Sequence, residues 1–447
     1  MAERVSGHLS LGLGRRSPRR QAGLEADLAA PSGGRVSVSG AFALVFIAVY
    51  TSGATYSWYG YIGIALFGLW VVSIIPAPWR PTSRAIQTNT LHDGAVIALA
   101  AFLGYYAVTG LMGETPSYVI PHVGAHLLVY SPLLMYQFYF NRNLEELKTL
   151  GTAASWILAA YGVAYLAFLI KNPGIGRVLA SRSLPYATIL GSAYYAAYAA
   201  ALACPFLLAL WRYHATKRQI HRFAYASILV VCVLVVYLTG STITMVAMAA
   251  GIVLSLVLFS RNRLVTVFFV AVVMVFFSLI RQSVGKFILD SQTDSSGAVA
   301  VRLRELGELI MYGETSGHGL DARNATYVRS IRVFLDYPVF GVGHRFGNNA
   351  AVAKMEVAFG NHSELFDTLA MYGLIGFILL AIVFWRCYRR IREAAPGLLV
   401  LPMVVTFGIM AMFNPLSCFH VSLLLMFVIP ALLLRIKPVE GERPRAP

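Results

Sequence analysis

Charge is what this sequence has least of: Asp, Glu, Lys and Arg make up 13% of its 447 residues, while 58% are hydrophobic and the mean hydropathy is +0.67. A chain so short of charge cannot cover a soluble globular surface, so the composition excludes that class and points to a polytopic membrane protein. Cysteine is also scarce. The four that occur, Cys204, Cys232, Cys387 and Cys418, fall within or at the ends of apolar runs without paired spacing, which argues against a disulfide framework or a zinc module. Internal repeats of the kind many transporter folds show are missing. The apolar runs contain almost no ionisable residues, whereas a transporter or lipid flippase places such groups near the bilayer midplane. No apolar segment follows directly on the Arg pairs of the N-terminal tail (Arg15, Arg16, Arg19, Arg20), so these do not read as a cleaved targeting peptide.

What is there is a series of runs long enough to cross a hydrocarbon core, at about 20 residues each. They begin near Val38, Ser57, Gly94, Tyr118, Gly151, Pro185, Phe223, Thr242, Leu264, Ser363, Pro396 and Leu416 and predict about twelve transmembrane helices in an all-α fold. Lys and Arg are retained on the cytoplasmic side. The N-terminal tail, the Arg80/Arg84 loop, 212-RYHATKRQIHR-222, 261-RNR-263, 386-RCYRRIR-392 and the C-terminal tail all fall on one side when the helices are counted through. Both termini are therefore expected in the cytoplasm. The same rule accounts for most of the +16 formal charge, so the basic balance does not argue for a nucleic-acid partner. The expected organisation is a disordered basic tail (1–36), transmembrane helices one to nine (37–280), a large periplasmic loop (281–362), helices ten to twelve (363–435) and a short cytoplasmic tail (436–447).

Two outward segments depart from this pattern. The first, 171-KNPGIGRVLASRS-183, puts Lys171, Arg177 and Arg182 on the side that should be poor in positive charge. The second is the loop from Arg281 to Asn361, too long to lack structure of its own. Helical patterns are readable in it at 299-VAVRLRELGELI-310 and 322-ARNATYVRSIRVFLD-336. On a wheel at about 100° per residue, Arg329, Arg332 and Asp336 share a solvated face. Arg323 falls on the opposite face with Tyr327, Ser330 and Phe334, either snorkelling to water or held for an anionic partner. Pro338 ends this helix, and Gly341, Gly343 and Gly347 permit a tight backbone path beside His344 and Arg345. Amides in such a path can cradle an anion, or the segment is a plain connection. In 360-GNHSELFDTLAMYGLIGF-377, His362 precedes a membrane helix whose first turns hold Glu364 and Asp367. These carboxylates suit the positive end of a helix dipole as caps, and a lone His at a helix end is commonly satisfied by a backbone carbonyl. His122 and His126, at i and i+4, are a candidate metal pair but lack an acidic partner and read as packed or substrate-lining.

The succession Arg323, Tyr327, 336-DYPVFGVG-343, a spacer, 362-HSELF-366 and 373-GLIGF-377 resembles the signature of the O-antigen ligase and polymerase superfamily, over about 55 residues from Arg323 to Phe377. The Arg-to-Pro spacing, 338 − 323 = 15, fits that pattern. The resemblance implies a C-type-glycosyltransferase-like enzyme of the bacterial inner membrane that moves sugar chains from an undecaprenyl-pyrophosphate carrier at the periplasmic face. It implies an inverting reaction without metal or cofactor, in which Arg323 holds the pyrophosphate and His362 takes the proton of the acceptor hydroxyl. Glu364 or Asp367 would orient the imidazole or bind acceptor hydroxyls, and Tyr327 and Phe346 would stack on sugar faces. At one place the sequence departs from the family: 238-LTGSTITMVAMAAG-251 has Ser241 followed by Thr242 where Ser-Arg is common. The second pyrophosphate arginine is then missing or replaced by Arg182, Arg281 or Arg345, with Arg177 near the first of these. The 362-HSELF-366 variant leans towards a polymerase of O-antigen or exopolysaccharide repeats; a ligase acting on lipid A-core is the alternative, and a polysaccharide or lipid transporter a further one. The implied partners are the lipid-linked glycan donor, a glycan or lipid A-core acceptor, membrane lipids, and a chain-length regulator or flippase.

Overall fold

The computed structural model describes residues 36–52, 58–74, 89–111, 116–172, 193–213, 219–260, 318–342, 363–394 and 397–434, together with isolated positions between 262 and 308. The chain divides after Arg35, and all of these residues belong to the second unit. Every regular element among them is helical: α1 (Val38–Thr51), α2 (Trp58–Ile74), α3 (Gly94–Leu111), α4 (Pro116–Arg142), α5 (Leu144–Lys171), α6 (Ala193–Tyr213), α7 (Gln219–Thr239), α8 (Thr242–Phe259), α9 (His318–Asp336), α10 (Glu364–Ala394), α11 (Gly397–Phe413) and α12 (Phe419–Leu433). The expected helix starts at Val38, Gly94 and Thr242 coincide with these bounds. Of the pattern read at 299–310, Glu308 is described, as helical and buried, and the rest lies outside the described residues.

Local chemistry sets several helix ends. Asn143 caps α5 by accepting from the amides of Glu145 (3.0 Å) and Glu146 (3.1 Å), with those two acids in the first turn and Lys171 in the last, each at the favourable end of the dipole. Asp93 accepts from Ala95 N at 2.9 Å at the head of α3 and also pairs with Arg390 near the end of α10, so one carboxylate ties the two helices together.

Among the described residues, the spans Gly94–Leu111, Leu144–Lys171, Tyr194–Arg212 and Glu364–Glu393 are long and apolar enough to cross a membrane, and α1, α2, α7, α8, α11 and α12 are shorter apolar helices. Large apolar side chains stand open on their outer faces, Val72 on α2, Val108 on α3 and Trp156 on α5 among them. So extensive an exposed apolar surface needs lipid around it, and this is a membrane protein. Polar backbone groups in such a medium must be satisfied within the segment, which is why helix is the form the runs adopt. The last helix is the exception to outward exposure: α12 is buried almost throughout and packs against α1, α4, α5, α6 and α10. It relaxes into one π turn at Leu424–Val428.

Candidate functional site

Three elements meet at the head of α10. Ser363 caps this helix: its hydroxyl accepts from Phe366 N at 3.0 Å, and its own amide is returned to Asp367 Oδ2 at 2.9 Å, a reciprocal arrangement that satisfies donors at both ends of the first turn. The other oxygen of Asp367 accepts from the Ser330 hydroxyl of α9 at 2.7 Å, in a buried setting. Asp367 therefore fixes the start of α10 and holds α9 against it. A buried carboxylate oxygen is retained in such a place only when donors converge on it.

Glu364 faces the turn between α11 and α12. Its Oε2 accepts from the amides of Leu416 (2.8 Å) and Ser417 (2.9 Å), its Oε1 from the Ser417 hydroxyl, and its own amide donates to Asn414 O at 3.0 Å. Tyr130 of α4 reaches the same Ser417 hydroxyl at 3.0 Å. The residue immediately after His362 thus begins a segment held on two sides. His362 itself, with Arg345, Arg182, Arg177, Arg281 and Phe346, lies outside the described residues.

On α9 the described side chains follow the two faces drawn from the wheel, while that of Arg323 lies outside the described residues. Arg329, Arg332 and Asp336 are exposed, while Ser330 and Val333 are buried and Tyr327 and Phe334 half-buried. Tyr327 is used for docking: its hydroxyl donates to Phe413 O at 3.2 Å, and its ring lies 6.0 Å from those of Phe366 and Phe413. The backbone of Arg323 sits one helical turn before Tyr327 on the same helix.

The segment after α9 closes onto a break in α10. The helix ends at Asp336 ahead of Pro338, and Gly341 turns the chain with φ 68°. Inside α10, Gly373 has φ 61° and ψ −166°, a region essentially restricted to glycine. The two breaks face each other and exchange backbone hydrogen bonds: Val342 N donates to Ala370 O (3.0 Å) and Leu374 N to Pro338 O (2.8 Å). A Cβ at either glycine would collide with the backbone at the other. Tyr105 of α3 seals the clasp, its hydroxyl lying 2.8 Å from Phe340 O and 2.9 Å from Tyr372 O. The quoted segments 336-DYPVFGVG-343 and 373-GLIGF-377 are therefore two halves of one contact, and the carbonyls freed by breaking a membrane helix find partners within the protein.

Beside the mouth, an apolar groove of about 530 Å³ runs down between α10 and α11, from Glu364 past Phe377, Phe384 and Phe407 to Ile391. His126 of the noted histidine pair is bound into an aromatic cluster, with its Nε2 3.3 Å from the Tyr372 hydroxyl and edge contacts to Phe102 and Tyr106. The side chain of His122 lies outside the described residues. Ser241, of the segment 238-LTGSTITMVAMAAG-251, precedes α8 and shares a hydrogen bond of 2.7 Å with Thr244. Sequence reasoning set Ser330 on the packed face of α9 but gave no role to it, nor to Ser363, Ser417 or Tyr105. Of these only Ser363 carried a signal, as a cap residue directly before two acids and an apolar run.

Residues 226–381, roughly a third of the chain, match the family model described as O-Antigen ligase. The matched stretch includes the whole of α9, both halves of the clasp and the mouth of α10. No curated protein matches the chain.

Proposed function

We propose that this chain, whose residues 226–381 match the O-Antigen ligase family model, is an inverting glycosyltransferase working on a polyprenyl-pyrophosphate-linked glycan at the outer face of the bacterial inner membrane. The observation that carries the proposal is the fixed relation of α9 to the head of α10. The helix bearing Arg323 is held by Ser330 and Tyr327 against the segment that begins one residue after His362. A planar guanidinium can meet a pyrophosphate with two parallel donors and stabilise charge as the leaving group departs. The acceptor hydroxyl is a poor nucleophile until its proton is taken. In the proposed step the acceptor oxygen bonds to the anomeric carbon as the bond to the carrier's pyrophosphate oxygen breaks. The hydroxyl proton passes to His362, the carrier leaves as the pyrophosphate, and attack opposite the leaving group inverts the centre. The groove between α10 and α11 supports the assignment, since it gives an apolar carrier tail a way from the mouth into the bilayer. Glu364 and Asp367 act here by holding the residues around His362 in place.

Polymerisation of O-antigen or exopolysaccharide repeats is the first reading, on the 362-HSELF-366 variant. Ligation to lipid A-core is the second, favoured by the description of the matched family. Deleting the gene separates them: loss of polymerisation leaves core carrying a single repeat, and loss of ligation leaves bare core with finished chains on the carrier. In either case, His362→Ala and His362→Gln proteins should insert normally, keep lipid-linked donor bound and lose transfer. A His acting as base works only when neutral, so parental activity should fall as the pH is lowered and the imidazole takes up a proton. A His362→Ala protein that transfers glycan at the parental rate would refute the role given to this residue.

A further inference from the structure

A second groove, sharing no lining residue with the one at the mouth, runs between α5, α6, α7 and α12 and encloses about 390 Å³. Its walls are apolar along most of their length. Small side chains on one face of α6, Ala196, Ala199, Ala200 and Ala203, leave the space open, and Trp156 and Val231 border it from α5 and α7. It follows α12 from His420 to Leu432, twelve residues or roughly 18 Å at 1.5 Å per residue, which is more than half of a hydrocarbon core. That shape suits an extended chain rather than a compact ring.

One end is chemically different. His420, 3% exposed, lines the groove with Tyr161, whose ring centroid lies 5.0 Å away. The Nε2 of His420 meets Thr51 O at 2.7 Å, and a carbonyl can only accept, so Nε2 carries the proton. In the neutral ring Nδ1 is then a lone-pair acceptor, and it is buried without a hydrogen-bond partner. An unmet acceptor of this kind in an apolar setting carries a desolvation cost that a single donor would relieve. Thr152 and Ser155, also on the groove, are occupied by their own helix, with Lys148 O and Thr152 O, and among the described lining residues the buried side-chain atom left without a hydrogen-bond partner is His420 Nδ1.

From these features we infer that the groove between α5, α6, α7 and α12 is a lipid-binding site for a single long hydrocarbon chain ending in a hydroxyl, with the hydroxyl donating to His420 Nδ1. The bilayer is the source of such a molecule, and the chain would enter sideways past Trp156, which is 57% exposed. The site is independent of the glycosyl-transfer reading and would stand if that reading failed.

The test uses full-length protein in phosphatidylcholine nanodiscs and two photoreactive probes, a long-chain primary alcohol with a diazirine near its far end and the methyl ether of the same alcohol. Labelled peptides are quantified by mass spectrometry. The alcohol is expected to label α5, α6, α7 and α12 roughly two- to tenfold more than the ether, the usual net effect of one hydrogen bond. His420→Phe should abolish the preference while leaving both probes able to enter. Ala203→Leu, which keeps His420 and narrows the groove, should lower labelling by both. Equal labelling by alcohol and ether in the parental protein, or unchanged labelling in Ala203→Leu, would overturn the assignment.

Discussion

At the residue scale the acids at the head of α10 have separate tasks. Asp367 has donors on both oxygens, from two different helical segments, so Asp367→Asn replaces an acceptor by an amide that repels one of them. Losing the bond from Ser363 N or from the Ser330 hydroxyl in a buried place costs about 1–3 kcal/mol. A lower melting temperature of the purified protein, with transfer reduced in step, is the expected result; full stability in Asp367→Asn would mean the contacts are dispensable. Arg323 is the residue to compare with Arg329 on the same helix. Arg323→Lys keeps the charge but loses the planar fork, and should reduce glycan transfer by about tenfold or more, the effect of roughly 1.4 kcal/mol in the transition state. Arg329→Lys, on the exposed face, should be nearly neutral. Equal tolerance of both at equal expression removes Arg323 from the site.

At the element scale the controlling feature is the clasp between the post-α9 turn and the broken α10. A transmembrane helix that breaks must satisfy the backbone groups it frees, and here the turn at Gly341 supplies their partners. Gly373→Ala would combine a collision with a backbone conformation that costs on the order of 1–3 kcal/mol for any other residue. It should strongly lower both stability and transfer. Tyr105→Phe removes only the hydroxyl that reaches Phe340 O and Tyr372 O, about 1 kcal/mol. Its expected effect is a modest drop in melting temperature with a severalfold loss of transfer, as α9 becomes less well fixed. A Gly373→Ala protein as stable and active as the parent would show that the break is incidental.

At the scale of the whole molecule, the distribution of Lys and Arg makes an orientation testable. In a background with Cys204, Cys232, Cys387 and Cys418 replaced, cysteines at Ser296 and Asn349 should react with a membrane-impermeant thiol reagent outside spheroplasts. One at His214 should not, because it lies in the basic 212–222 segment assigned to the cytoplasm. Labelling only at His214 would invert the molecule and put the head of α10 on the wrong side for a periplasmic reaction. With lipid outside, the nearly complete burial of α12 makes it an inner post against which α1, α4, α5 and α6 are set.

The sequence by itself determined the class and most helix positions, because spanning a bilayer demands long apolar runs and because the free energy of burying each run is local to it. The two faces of α9 were equally legible from Tyr327 to Asp336, since a helical period maps residue order directly onto direction. Three things were decided only in three dimensions. Glu364 and Asp367 were readable as caps for one helix, yet each also joins that helix to a partner 37 to 53 residues away. The 373-GLIGF-377 segment reads as uninterrupted membrane helix, and only the approach of Gly341 shows why Gly373 leaves helical geometry. The last apolar run looked like any other span, although it is the one most enclosed by protein. In each case the physical reason is the same: hydropathy and periodicity report what a segment wants from its surroundings, whereas the donor, the opposing backbone or the neighbouring helix that meets the want comes from a distant part of the chain.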